Sequence, residues 1–171
     1  MLSATQSSYQ FIMDALENIT YDELHVGDSA TYTRTLTEQE IVLFAAVSGD
    51  INPVHLDAEY AQSTVFKERI GHGMWSGALI SAALATVIPG PGTIYLEQQL
   101  SFKRPVKLND ILTVTLTVTE KLSKKRVVLD CAIHNQNGVL VVEGQAKVIA
   151  PDEKISLERP TLPAISISGD H

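Results

Sequence analysis

Met74-Trp75-Ser76-Gly77-Ala78-Leu79-Ile80-Ser81-Ala82-Ala83-Leu84-Ala85-Thr86-Val87 is a stretch of small and apolar residues without a charged side chain. A helix that is apolar nearly all round belongs in an interior rather than on a surface. Pro89-Gly90-Pro91-Gly92 ends it, because neither residue type continues a helix. Beyond that point the pattern changes to period two. It runs through Thr93 to Phe102, then Leu112, Val114, Leu116 and Val118 alternating with threonines, then Val127, Leu129, Cys131 and Ile133, then Val139 to Val148. Asn137-Gly138, between the last two runs, is a strong hairpin signal. The pattern predicts an α+β domain in which an antiparallel β-sheet wraps around one long buried central helix.

Upstream of that helix the signals are shorter. Phe11, Ile12, Ala15, Leu16 and Ile19 recur at helical spacing and predict an amphipathic leader helix within residues 1–20. A brief strand is expected over Ser29 to Arg34. Thr37 stands three residues before Glu40, a capping box, so a helix is expected over Glu38 to Val47, with Gly49 in the position that closes it. Asp57 is placed to cap a further short helix through Tyr60 and Ala61. Downstream, residues 151–171 hold Pro151, Pro160 and Pro163, several charges and a short Ser/Ile alternation, which reads as a tail or interdomain linker after a domain spanning 1–150.

Composition excludes several function classes. A chain of 171 residues, 44% hydrophobic, is long enough to bury a core without help. Its net charge of −7 argues against a nucleic-acid surface, which needs clustered lysine and arginine. No window has the apolar length of a membrane span. Met1 to Gln10 has neither the basic start and apolar run of a secretion signal nor the arginines of a transit peptide, so a cytoplasmic location is expected. Cys131 is alone, lies in an alternating apolar run, and reads as a core filler rather than a nucleophile. Asn18-Ile19-Thr20 fits a glycosylation acceptor by chance, given no secretion signal.

The chemistry concentrates in Ser48-Gly49-Asp50-Ile51-Asn52-Pro53-Val54-His55. Pro53 fixes its own backbone and pushes Asn52 away from helical geometry, so Asp50 and His55 are expected on a loop that can turn both toward one small volume. A carboxylate beside an imidazole suits a reaction that takes a proton from one atom and gives one to another. The second motif is Arg69-Ile70-Gly71-His72-Gly73-Met74-Trp75-Ser76-Gly77, which opens the buried helix. The first N–H groups of a helix have no internal partner and favour negative charge, and a glycine there admits a substrate atom close to its own N–H. Gly73 is therefore a candidate oxyanion donor.

Together the motifs resemble the MaoC-like, (R)-specific enoyl-CoA hydratases of the hot-dog superfamily. The resemblance runs from about Leu36 to Ala150, through Thr35-Leu36-Thr37, Phe44-Ala45, Ser48 to Asp57, His72-Gly73-Met74 and Arg104-Pro105-Val106. It implies a hot-dog fold and hydration of a trans-2-enoyl-CoA to the (R)-3-hydroxyacyl-CoA, with the reverse dehydration, by Asp50, His55 and Gly73. Ser48 and Asn52 belong to the family signature and are candidates to orient Asp50 or the water; Ser76 either points toward the site or sits on the helix face, and a structural hydrogen bond is expected of His72. Lys67, Arg69, Lys103 and Arg104 are candidates for the phosphates of coenzyme A or of an acyl-carrier protein, while Lys124-Lys125-Arg126 reads as a solvated turn. Neither a metal nor a cofactor is expected, coenzyme A being part of the substrate. The chain departs from the family at Leu108-Asn109-Asp110, where Gly-Asp is usual, and asparagine tolerates the left-handed backbone such a turn requires.

A homodimer or higher homo-oligomer is expected, because a single sheet leaves open edges and long strands such as Leu112 to Lys121 carry no proline to block pairing. In some relatives an acyltransferase domain follows the hydratase domain, so the resemblance also admits a fused C-terminal acyltransferase in a longer protein. Three further readings share the scaffold: a 3-hydroxyacyl-ACP dehydratase, a hot-dog acyl-CoA thioesterase, and a non-catalytic acyl-CoA binding module.

Overall fold

Why the C-terminal half becomes a sheet is visible in its burial. The computed structural model describes residues 15–168, with strands β1 (Ala15–Glu17), β2 (Ser29–Thr35), β3 (Ile94–Phe102), β4 (Ile111–Lys121), β5 (Arg126–His134), β6 (Leu140–Ile149) and β7 (Ser156–Glu158). In β4, Leu112, Val114, Leu116 and Val118 are buried and the residues between them are not, so the period-two pattern places one face inward. Five strands form one antiparallel sheet in the order β2-β4-β5-β6-β3. The β5–β6 hairpin turns through Asn137-Gly138, with Gly138 at φ 72° and its N–H donated to Asn135 O at 2.9 Å. That turn needs a left-handed residue, which glycine supplies.

Among the described residues four helices complete the fold: α1 (Glu38–Ser48), α2 (Pro53–Leu56), α3 (Ala58–Ser63) and α4 (Gly73–Thr86). The sheet curls around α4, whose Trp75, Leu79, Ile80, Ala83 and Leu84 pack with the inward faces of β4, β5 and β6. This is the hot-dog arrangement expected from the pattern. One difference matters for assembly: Met74 on α4 is 58% exposed, and Gly73, Ala78 and Ala85 are exposed with it. An apolar stripe at spacings of about one turn is thus left uncovered by the chain's own sheet.

Two local expectations change. Ala15–Glu17, expected within a leader helix, is strand β1, paired antiparallel with β7; the remainder of that expected helix, up to Asp14, lies outside the described residues. Long-range pairing here overrides a short helical spacing. The segment expected to be a free tail or linker is held down through β7, because Ile155 N–H donates to Asn18 Oδ1 at 2.9 Å and Lys154 Nζ to Asn18 O at 2.6 Å. Further along, Gln39 reaches Ile165 O at 3.1 Å.

Cys131 is 2% exposed with its thiol pushed up to about 11 by burial, which fits a core filler. Asn109 adopts φ 65°, so the turn that departs from the family survives as expected. Among the described residues no helix is long and apolar enough to cross a membrane.

Candidate active site

The site begins with the end of α1. Thr37 Oγ1 accepts from Glu40 N–H at 3.3 Å and the Glu40 carboxylate accepts from Thr37 N–H at 2.9 Å, closing the capping box that starts the helix. Gly49 at φ 77° stops it, donating to Ala45 O at 2.9 Å. The chain therefore leaves α1 in a sharp turn that delivers Asp50. Ser48 Oγ accepts from Asp50 N–H at 3.2 Å, and Asp50 Oδ1 accepts from the backbone N–H of Asn52 at 3.2 Å.

His55 lies on a single helical turn, α2, rather than on a loop. Pro53 occupies the first helical position, where its missing N–H costs nothing, and Asn52 Oδ1 caps the turn through Val54 N–H at 3.2 Å. The proline thus starts a helix instead of preventing one. His55 is 7% exposed, with Nδ1 at 2.9 Å from Ile70 O. A carbonyl only accepts, so Nδ1 carries the hydrogen, and in the neutral ring Nε2 presents a lone pair. That Nε2 is 3.9 Å from Asp50 Oδ2. The pair is too far apart for a direct hydrogen bond and close enough for one small molecule to touch both.

Arg69 corrects an expectation. Its Nε–H donates to His55 O at 2.7 Å while its two terminal nitrogens grip the Glu38 carboxylate at 2.7 and 3.1 Å. A guanidinium engaged on both sides is not free for a phosphate; it ties α2 to the start of α1 and thereby fixes His55. Glu38 and Arg69 are 31 positions apart, and no local pattern marks such a pair.

A cavity of about 350 Å³ opens beside His55. Gly73 and Ser76 of α4 line it, with His72, Phe102 and Arg104, whereas Asp50, Ser48, Asn52, Lys67 and Arg69 do not. Asp50 stands at the edge with its side chain about half exposed. Gly73 is the first residue of α4, and among the described residues its N–H has no acceptor. A Cβ there would sit 3.3 Å from the Phe102 ring, so glycine keeps this end of the helix open. Phe66, in the turn after α3, and Phe102, the last residue of β3, are the aromatic walls, and neither was recognisable in the sequence, because a single apolar residue normally reads as core. Of the basic candidates, Lys103 pairs with Glu143 at 2.7 Å. Arg104 lines the cavity and, among the described residues, has no carboxylate partner. Lys67 is held at φ 62° in the turn before Arg69.

His72 joins the group from the N-cap of α4. Its Nε2 is 2.9 Å from Asp50 O, the expected structural bond, and its ring lies 3.9 Å from the His55 ring, centroid to centroid. Asp50, His55 and His72 bring ligand-type atoms within 4.8 Å of one another, a convergence that no sequence spacing announces.

The chain is 45% identical over 131 residues to an (R)-specific enoyl-CoA hydratase of Rhodospirillum rubrum, covering 77% of this chain and 91% of that protein. An R-hydratase of Pseudomonas aeruginosa, solved in the unliganded form, is 60% identical with a TM-score of 0.87, over 90% of this chain and 99% of that one. The (R)-hydratase of Aeromonas caviae involved in PHA biosynthesis is 41% identical with a TM-score of 0.72, over 75% and 98%. The MaoC like domain family matches residues 25–136, the segment from just before β2 to the β5–β6 turn. The chain belongs to the MaoC-like domain family.

Proposed function

We propose that this protein is an (R)-specific enoyl-CoA hydratase, a hydro-lyase that adds water across the double bond of a trans-2-enoyl-CoA to give the (R)-3-hydroxyacyl-CoA, and runs the reverse dehydration. The observation that carries this reading is the His55 Nε2 lone pair, 3.9 Å from the Asp50 carboxylate and opening on the cavity where α4 begins. One water held by both groups loses a proton to His55 as its oxygen bonds to the β-carbon. The electrons of the double bond move toward the thioester carbonyl, whose oxygen gains negative charge. Gly73 N–H and the N-terminal end of α4 favour that charge. A proton delivered to the α-carbon from the same pair completes the addition, so water is consumed whole and no net proton is taken up. Coenzyme A enters as part of the substrate, and Arg104 is placed for one of its phosphates.

The test is direct. Incubated with crotonyl-CoA, the protein is expected to consume the conjugated enoyl group and yield (R)-3-hydroxybutyryl-CoA without releasing free thiol. Thiol release without hydration would establish a thioesterase, binding without turnover a docking module, and a strong preference for crotonyl-ACP a carrier-protein dehydratase.

The cytoplasmic homodimer belongs to the same proposal. The strand chosen from sequence as an open edge, Leu112 to Lys121, lies inside the sheet as β4; the open edges are β2 and β3. On β3, Tyr95, Leu96 and Phe102 are 38%, 41% and 51% exposed. The uncovered stripe of Met74, Ala78 and Ala85 on α4 adds to that surface. A second copy covering these residues explains why α4 has no polar face. Sedimentation at micromolar concentration is expected to give a dimer; a fully active monomer would contradict this.

A further inference from the structure

We propose that His72 is a positioning residue for the hydration, acting as a permanently neutral imidazole that locks the Asp50 backbone to the start of α4 and packs, tilted, against the ring of the base. The proposal rests on the hydratase reading. Contacts to Asp50 from Ser48 and Asn52 arise within its own turn; among the described residues the hydrogen bond from His72 Nε2 to Asp50 O, at 2.9 Å, is the one that comes from elsewhere in the chain. His72 is also the residue immediately before Gly73, at the N-cap of α4 without a side-chain capping bond. One side chain therefore sets the spacing between the acid/base turn and the proposed oxyanion donor.

The protonation state follows from the partners. Because the Asp50 carbonyl can only accept, Nε2 carries the hydrogen of the neutral ring. Among the described residues Nδ1 is buried without a partner, and the residue is 2% exposed. A proton there would create a buried charge and an unsatisfied donor. Burial lowers the proton affinity of His72 from its ordinary value of 6.5, and the neighbouring His55 lowers it further, against an opposing contribution from its bond to Asp50. The groups facing His72 are the His55 ring at 3.9 Å, the Phe44 ring at 5.1 Å and Asp50. Arg69 reaches only the His55 carbonyl and is neutralised by Glu38. A charged His72 would oppose the positive charge that His55 acquires when it takes the proton of water; a neutral one does not.

Three variants separate these roles. His72→Phe keeps a ring against His55 and loses the donor; it is expected to lower kcat for crotonyl-CoA about 10- to 100-fold with little change in KM, the size of effect that misplacement of a reacting group produces. His72→Gln restores an N–H near the Nε2 position and is expected to recover most of that loss, while His72→Ala is not. Wild-type kcat in a folded His72→Phe, with the wild-type enzyme hydrating normally, would overturn the proposal and leave the hydratase reading intact.

The acid side supplies a second readout. The folded state holds His72 below its unfolded value of 6.5, so stability is full above that pH and is lost as pH falls through it toward the folded value. His72→Gln removes that component, and its melting temperature is expected to fall less steeply on acidification than the wild type's. Nitrogen-15 spectra of the wild-type rings, assigned by the variants, are expected to show His72 as the Nε2–H tautomer throughout the active pH range. A His72 that titrates together with His55 would overturn the proposal, whether or not any variant folds.

Discussion

Asp50→Asn and His55→Ala are each expected to lower kcat for crotonyl-CoA hydration by about two to four orders of magnitude, with KM changing little. The structure makes the first substitution a clean one. Asp50 is half exposed, and an asparagine keeps the oxygen that accepts from Asn52 N–H, so the turn is retained while the charge and proton capacity are lost. His55→Ala is more invasive, because it leaves Ile70 O without its 2.9 Å partner in a buried position, and its fold must be checked by circular dichroism. The double variant is expected to lose scarcely more than either single one, since groups acting on the same water fail together. Near wild-type turnover in either folded single variant would remove the acid/base assignment and move a thioesterase or binding-module reading ahead.

Much of this site was legible because its supports are local. The capping box at Thr37 and Glu40 and the left-handed Gly49 act over about one helical turn, and each is found where the chain predicts it. The same holds for the period-two strands, where the face a residue occupies follows from its place in the run. The resemblance supplied what locality does not, namely that the Asp50 turn and the start of α4 meet.

What was not legible depends on distance along the chain or on surface left uncovered. Arg69 read as a phosphate ligand because a lone arginine near a motif gives no sign of a carboxylate at Glu38. His72 stood between two glycines, and only folding reveals that its two nitrogens have unlike surroundings. Pro53 was read as a helix breaker although the same residue type begins helices, and the choice is decided by whether the residue before it caps. The all-apolar pattern of α4 predicted burial all round, yet among the described residues Met74, Ala78 and Ala85 stay uncovered, and that stripe is the part of the pattern their packing does not explain.

Asn18 carries the largest expected effect on stability. Its side chain is 1% exposed and works as a hub: Nδ2 donates to Pro91 O at 3.1 Å and to Glu153 O at 2.9 Å, and Oδ1 accepts from Ile155 N–H at 2.9 Å. Its backbone N–H donates to Ile155 O at 3.2 Å as well. The leading segment, the Pro-Gly turn after α4 and the segment after β6 are thus fastened through one amide. The burial also makes the Asn18-Ile19-Thr20 match an unusable glycosylation acceptor in the folded chain. Asn18→Ala is expected to cost about 2–4 kcal/mol, because each buried group left unpaired costs roughly 1–3 kcal/mol. For a domain of this size that corresponds to a melting temperature lower by roughly 5–15 °C. Truncation from Glu153 onward removes Lys154, Ile155 and β7 together, and is expected to destabilise at least as much, contrary to what a free tail would show. In neither variant is kcat of the folded fraction expected to change beyond about twofold, because no residue of this clasp lines the cavity beside His55. An unchanged melting temperature after truncation would mean that the β1–β7 pairing contributes nothing to the fold, and that the segment from Glu153 onward is the loose tail its prolines suggest.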